Sequence, residues 1–135
     1  MSALHQTRVA VVDDDESLCR ALSRLLRAEG ISAVTYHSAT AFLADAAQPP
    51  FDCLVLDIQL GGMSGIELHR QLNATGPTPP VIYVTAHDEP GTREEAQAAG
   101  CAAYFSKTDP GEAVLQAIRC AAGETMNPQK RTQSK

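Results

Sequence analysis

Three acidic residues in a row, Asp13, Asp14 and Asp15, follow the apolar run Val9–Val12, and another acid, Asp57, follows the run Cys53–Leu56. A third run, Val81–Val84, ends in Thr85 and Ala86, and a fourth, Ala102–Phe105, leads through Ser106 to Lys107. Carboxylates brought within about 4 Å of one another repel by about 4 kcal/mol at an effective dielectric of 20, so a fold tolerates them where a cation or a proton relieves the charge. A hard, oxygen-liganded cation suits that set. Mg²⁺ keeps several waters while taking one or two carboxylates directly, and Mn²⁺ accepts similar donors. A carboxylate beside such an ion can attack phosphorus and form an acyl phosphate. The transferring phosphoryl group then needs its spread charge met by fixed positive groups and donors. Lys107 can supply one, and the Thr85 hydroxyl with the Ala86 backbone N–H another. Ala86 is small and leaves a path for the donor. Each residue also has a plain structural role: Asp13–Asp15 as helix caps, Asp57 as a strand end, Lys107 as a stem over apolar surface. Only their joint placement favours the chemistry.

That placement depends on the elements that carry the residues. Strand-like runs cover Arg8–Val12, Ser32–Tyr36, Cys53–Asp57, Val81–Thr85 and Ala102–Phe105. Several are continuously apolar rather than alternating, as in strands covered on both faces. Helical patterns lie between them. Leu18, Leu22, Leu25 and Leu26 mark one helix, with Gly30 placed to end it. Two shorter helices fall near Ala39–Ala46 and Ile66–Leu72. Thr92 with Glu95 forms a capping-box pattern ahead of Gly100, and Asp109-Pro110 offers a cap and a first-turn proline for the last helix. Five βα units in sequence predict a doubly wound, five-stranded parallel sheet with helices on both faces. Sites in such sheets form beyond the carboxyl ends of the strands, where these residues fall.

The bulk properties narrow the function classes. A chain of 135 residues fits one domain. With 16 acidic residues against 11 basic ones, its net charge of −5 disfavours direct contact with nucleic acid, whose phosphates need Lys and Arg. No apolar run approaches the ~20 residues of a membrane span, and no secretory signal pattern opens the chain. Cys19, Cys53, Cys101 and Cys120 lack metal-site or pairing spacing and read as free buried thiols, pointing to the cytoplasm. His5, His37, His69 and His87 are scattered and argue against a metal cluster, with His87 read as an exposed loop residue. From Gly123 the sequence GETMNPQKRTQSK has no apolar periodicity and reads as a disordered tail or the start of a linker. The expected domain is 7–122.

The motifs VVDDD, VLDIQLGGMSGIEL, VTAHDEP and YFSK, in this order and spacing, resemble the receiver domain of bacterial two-component response regulators over roughly residues 7–122. The stretch around the fourth strand and helix is most similar to FixJ-type receivers. The resemblance implies a flavodoxin-like strand order 2-1-3-4-5. It implies that Asp57 is the phosphoacceptor, that Asp14 ligates Mg²⁺ directly and Asp13 chiefly through water, and that the Gln59 carbonyl is a further ligand. Lys107 would pair with the phosphoryl group and Thr85 would hydrogen-bond it, while Asp15 caps the first helix. Tyr104 matches the switch aromatic, which fills the space that Thr85 vacates. Gln59 and His87 match positions that tune attack by water. The implied partners are a sensor histidine kinase or histidine phosphotransfer protein. The implied output is altered partner binding or phosphorylation-dependent homodimer formation on the face made by helix 4, strand 5 and helix 5, about 92–122.

Departures from the pattern are informative. Receivers commonly follow the lysine with proline through a cis bond, whereas Thr108 stands here, and Gly61 replaces a frequent proline. Gly61-Gly62-x-x-Gly65 matches neither a P-loop nor a dinucleotide fingerprint and reads as turn chemistry. Asp13-x-Asp15 also satisfies the D-x-D of haloacid-dehalogenase-like phosphatases, but the late strand delivers Ser106 and Lys107 where those enzymes need carboxylates. A degenerate receiver that binds partners without phosphorylation is a further alternative, opposed by the complete acidic set. An electron carrier of the flavodoxin type is weaker still, because no flavin contacts are indicated. The reading is therefore a regulatory domain that catalyses only its own phosphorylation and dephosphorylation.

Overall fold

The apolar runs assemble into one five-stranded parallel sheet of order β2-β1-β3-β4-β5. A computed structural model describes residues 6–45, 49–86 and 89–123. Its strands are β1 (Arg8–Val12), β2 (Ser32–Tyr36), β3 (Cys53–Leu56), β4 (Val81–Thr85) and β5 (Ala103–Ser106), alternating with helices α1 (Glu16–Ala28), α2 (Ala39–Ala44), α3 (Gly65–Thr75), α4 (Pro90–Ala98) and α5 (Gly111–Ala121). The expected doubly wound architecture is what the chain adopts. The tail from 124 onward lies outside the described residues.

Strand alternation divides the core in two. Val9, Val11, Val55, Ile82 and Val84 point to α1 and α5, where Leu22, Leu26, Leu115 and Ile118 meet them. Ala10, Val12, Leu54, Leu56 and Tyr83 point the other way, toward Ile66 and Leu68 of α3 and Ala96 of α4. Burial on both faces explains why β3 and β4 are continuously apolar, while the edge strands β2 and β5 are only partly buried.

Helix boundaries follow local chemistry, with two corrections. Asp15 caps α1, accepting from the Leu18 N–H at 3.2 Å, and Gly30 takes a left-handed φ of +79° just past the helix end. Thr92 is no cap: α4 begins earlier, with Glu89 at the cap position and Pro90 in the first turn, so the Thr92–Glu95 pair lies inside the helix. Nor does Asp109 cap α5. Pro110 holds that position, and the Asp109 carboxylate instead accepts from the Ser106 N–H at 2.9 Å. The thiols are free as expected, but only Cys19 and Cys53 are buried; Cys101 is half-buried and Cys120 exposed.

One polar pair sits inside the α3 side of the core. His69, 3% exposed, shares a 2.9 Å hydrogen bond through Nδ1 with the hydroxyl of fully buried Tyr83. Burial holds the His69 pKa below its ordinary value of 6.5. The unfolded chain therefore takes up a proton at higher pH than the folded chain does. Stability attributable to His69 is complete above the unfolded pKa and falls as pH drops through it. His69→Gln keeps a polar partner for Tyr83 and removes the titration. The loss of urea midpoint between about pH 7.5 and about pH 5 should be smaller in His69→Gln than in the parent chain; an equal loss would show that His69 does not titrate on unfolding.

Candidate functional site

The carboxyl ends of β1, β3, β4 and β5 form one rim. The hydrogen-bond ladder continues one residue past two of these strands: Asp13 N–H donates to the Tyr36 carbonyl at 2.9 Å, and Asp57 N–H to the Val12 carbonyl at 3.1 Å. Asp13 and Asp57 thus leave neighbouring strands, about 4.8 Å apart, from backbone that cannot drift. Both side chains are buried, Asp13 at 1% exposure and Asp57 at 3%. Asp14 is exposed at the mouth, and carboxylate oxygens of Asp13, Asp14 and Asp57 lie within 4.8 Å of one another.

Lys107 closes the group from the far side. Its Nζ lies 3.2 Å from Asp57 Oδ2, 3.2 Å from Asp13 Oδ2 and 3.5 Å from Asp15 Oδ2, with its side chain 17% exposed. The Lys107 N–H donates to the Thr85 carbonyl at 2.9 Å, so β4 fixes the root of the lysine. The Lys107–Thr108 bond is trans, and Ser106 Oγ, Thr108 and Asp109 hydrogen-bond around it. A turn built on these side chains aims the lysine without proline.

The electrostatics are those of a site short of positive charge. The Asp13 pKa is raised to about 6, first by burial and also by the Asp57 carboxylate, against the lowering effects of the Asp15 N–H at 2.9 Å and of Lys107. Burial disfavours the Lys107 ammonium, but Asp57 and Asp13 outweigh it and its pKa rises. Asp15 is lowered, chiefly by the Leu18 N–H that it caps. One ammonium among so many carboxylates leaves net negative charge, and an oxygen-only donor set with one exposed ligand fits a hard divalent cation.

Thr85, Ala86 and Gln59 lie at or just past the same strand ends, while Tyr104 lies within β5. Thr85 is fully buried at the end of β4, between the strands that carry Asp57 and Lys107, and Ala86 is exposed beside it. Gln59 is exposed, and its N–H turns back toward Asp57 Oδ1 at 3.4 Å. Tyr104 packs with ring centroids 6.2 Å from Tyr83, and the Arg93 guanidinium lies 4.5 Å from its ring. His87 lies outside the described residues. The sequence did not show Asp15 as a partner of Lys107, and Gly65, read there as turn chemistry, is instead the first residue of α3. The Gly65 N–H donates to the Ile58 carbonyl at 2.8 Å, and a Cβ there would collide with the carbonyl oxygen of Asp57. Ser64 before it forms a capping box with Glu67, a signal visible in S-G-I-E.

Comparisons with known proteins identify the family and the fold. A family model for the response regulator receiver domain matches residues 9–119. The response regulator protein TodT of Pseudomonas putida is 35% identical over 124 residues, which are 92% of this chain and 54% of TodT. The transcriptional regulatory protein FixJ of Azorhizobium caulinodans is 36% identical over 118 residues, 87% of this chain and 56% of FixJ. The chain spans about half the length of these relatives. Among solved structures, a response regulator receiver protein from Burkholderia phymatum is 43% identical with a TM-score of 0.77, covering 87% of this chain and 96% of that one. The crystal structure of FixJ-N is 30% identical with a TM-score of 0.80, covering 92% and 99%. Among the described residues no helix is long and apolar enough to cross a membrane.

Gly65→Ala should force α3 away from the Asp57 carbonyl. Overpacking of this kind costs about 1–3 kcal/mol, read as a lower denaturant midpoint, and should shift the Asp57 and Ile58 amide resonances. A variant with parental stability and parental shifts would show that the contact yields freely.

Proposed function

The chain belongs to the response regulator receiver family of two-component signalling, and from that premise we propose that it is a switch set by phosphorylation of Asp57. The observation that carries this reading is the buried Asp57 carboxylate held 3.2 Å from Lys107 in a pocket that Asp13 and Asp14 make acidic. Asp13, Asp14, Asp57 and the Gln59 carbonyl would hold Mg²⁺ or Mn²⁺, which when bound neutralises phosphoryl oxygens and the attacking carboxylate.

The chain's own groups account for the rest. An Asp57 carboxylate oxygen forms a bond to phosphorus as the bond from phosphorus to the donor's imidazole nitrogen breaks, and that nitrogen leaves with the electron pair. Lys107 already faces this carboxylate and meets the charge of the new phosphoryl group. Thr85 and the Ala86 N–H supply further donors, and Ala86 leaves the approach open. Hydrolysis of the acyl phosphate returns Asp57, at a rate tuned from Gln59 and His87. The domain performs no other chemistry.

Tyr104 is the output element. It lies on β5 beside the site strand and between Tyr83 and Arg93, so displacement of Thr85 toward a phosphoryl group alters the space open to its ring. The responding surface is α4, β5 and α5, where phosphorylation changes partner binding or self-association. The donor is a sensor histidine kinase or histidine phosphotransfer protein, met in the cytoplasm. We place the receiver at residues 7–122, the positions from 124 onward lying outside the described residues.

Incubation with acetyl phosphate should add one phosphoryl group to the intact mass, with Mg²⁺ and not without it. Asp57→Ala should add none. No gain, either with acetyl phosphate or as altered Tyr104 resonances with beryllofluoride, would favour a degenerate receiver, and turnover of small phosphate esters would favour a phosphatase. After activation, amide exchange across 92–122 or the oligomer size should change; identical behaviour in both would remove that face as the output.

A further inference from the structure

On the side of α1 away from α5, Cys19, Arg20, Ser23, Arg24 and Arg27 follow the i, i+1, i+4, i+5, i+8 pattern of one helix face. With Glu16 in the first turn, Thr35 of the edge strand β2 and His37 just beyond it, they line a cleft of about 440 Å³. Three of the 11 basic residues of an acidic chain are thus gathered in eight positions. The ends of the cleft are defined. Arg27 Nη2 donates to the Ala33 carbonyl at 3.1 Å and ties α1 to β2, while at the other end Arg20 meets Glu16 at 4.0 Å through two well-exposed side chains. An exposed pair at that distance contributes little and exchanges readily.

The floor carries the second observation. Ser23 is only 5% exposed, and its buried Oγ has no hydrogen-bond partner. Buried hydroxyls are normally satisfied, because leaving one without a partner is costly. Cys19 beside it is already engaged, its Sγ lying 3.3 Å from the Asp13 carbonyl. An orphan hydroxyl in a lining that also carries guanidiniums is complementary to an oxyanion: arginine pairs two oxygens in its planar fork, and the hydroxyl donates to another. The volume lies within the range of small-molecule sites. A flat acidic surface resting on the rim would leave the Ser23 hydroxyl unmet.

We propose that the α1–β2 cleft binds a small molecule that presents two or more anionic oxygens, a phosphomonoester or a polycarboxylate. It is a separate site from the acidic pocket, whose carboxylates repel such a ligand. The test is an amide NMR titration of the full chain without Mg²⁺, using inorganic phosphate and citrate in turn at fixed ionic strength, with sodium chloride as the control. Saturating shifts confined to residues 19–27, Thr35 and His37 are expected with at least one anion below about 10 mM. Phosphate alone or citrate alone would identify which oxyanion the site takes. Arg24→Glu should weaken binding at least about tenfold, and Ser23→Ala about threefold or more. Linear shifts matching the chloride control, or saturation unchanged in Arg24→Glu, would overturn the proposal. So would saturation by an oligoglutamate peptide with neither small anion, which would make the cleft a protein-docking face.

Discussion

Everything at the rim depends on holding Asp13 and Asp57 together, buried, against a single ammonium. Two carboxylates at that separation repel, and burial removes the water that would screen them. Lys107 offsets part of this, which is why its own pKa rises while Asp13 remains elevated at about 6. The pocket is folded in a state that a further cation would stabilise. Its deficit of positive charge is set by backbone, since the Asp13 and Asp57 amides are both fixed in the ladder between strands. The backbone roots of the two carboxylates cannot separate without breaking these hydrogen bonds.

The scaffold answers this constraint with rigidity on three sides. The central strands β1, β3 and β4 are buried on both faces and carry the two aspartates and Thr85. Gly65 lets the start of α3 press on the Asp57 carbonyl, and the Ser64–Glu67 capping box fixes where that helix begins. Asp15 both caps α1 and contacts Lys107, so the first turn of a helix and the counter-ion of the site share one side chain. The mobile part is therefore expected on the β4–β5 side, where Tyr104 is held by ring contacts rather than by the ladder alone.

The sheet and the strand-end residues were legible because continuous apolar runs and the groups that follow them are local signals. Cys53–Leu56 followed by Asp57 can be recognised without knowing any partner. What was not legible depended on distance in the chain. The contact between Gly65 and the Asp57 carbonyl requires knowing how tightly α3 approaches the strand end. Local rules misplaced two caps. Thr92–Glu95 fits the capping pattern, yet the cap of α4 lies three residues earlier at Glu89, and Asp109 is drawn to the Ser106 N–H by the turn that follows β5. Cys101 and Cys120 were read as buried inside secondary structure, but Cys101 lies in the connection between α4 and β5, and Cys120 is on the exposed side of α5.

The trans bond after Lys107 bears on how the lysine is aimed. Where a cis proline would set the turn by one backbone constraint, this chain uses a small network: Ser106 Oγ to Thr108 Oγ1 at 2.9 Å, the Thr108 N–H to Ser106 Oγ at 3.2 Å, and the Ser106 N–H to Asp109 Oδ2 at 2.9 Å. Such bonds are exposed, and each contributes little against water. Their combined effect is directional: they curl the chain so that Lys107, rooted on the Thr85 carbonyl, turns back over the rim toward Asp57 and Asp13. The three carboxylates then complete what the turn begins, because an ammonium among Asp13, Asp15 and Asp57 is held by charge as well as by backbone. The aim of Lys107 thus belongs to the acidic cluster as much as to its own loop, and with threonine after it the ammonium still reaches Asp13, Asp15 and Asp57.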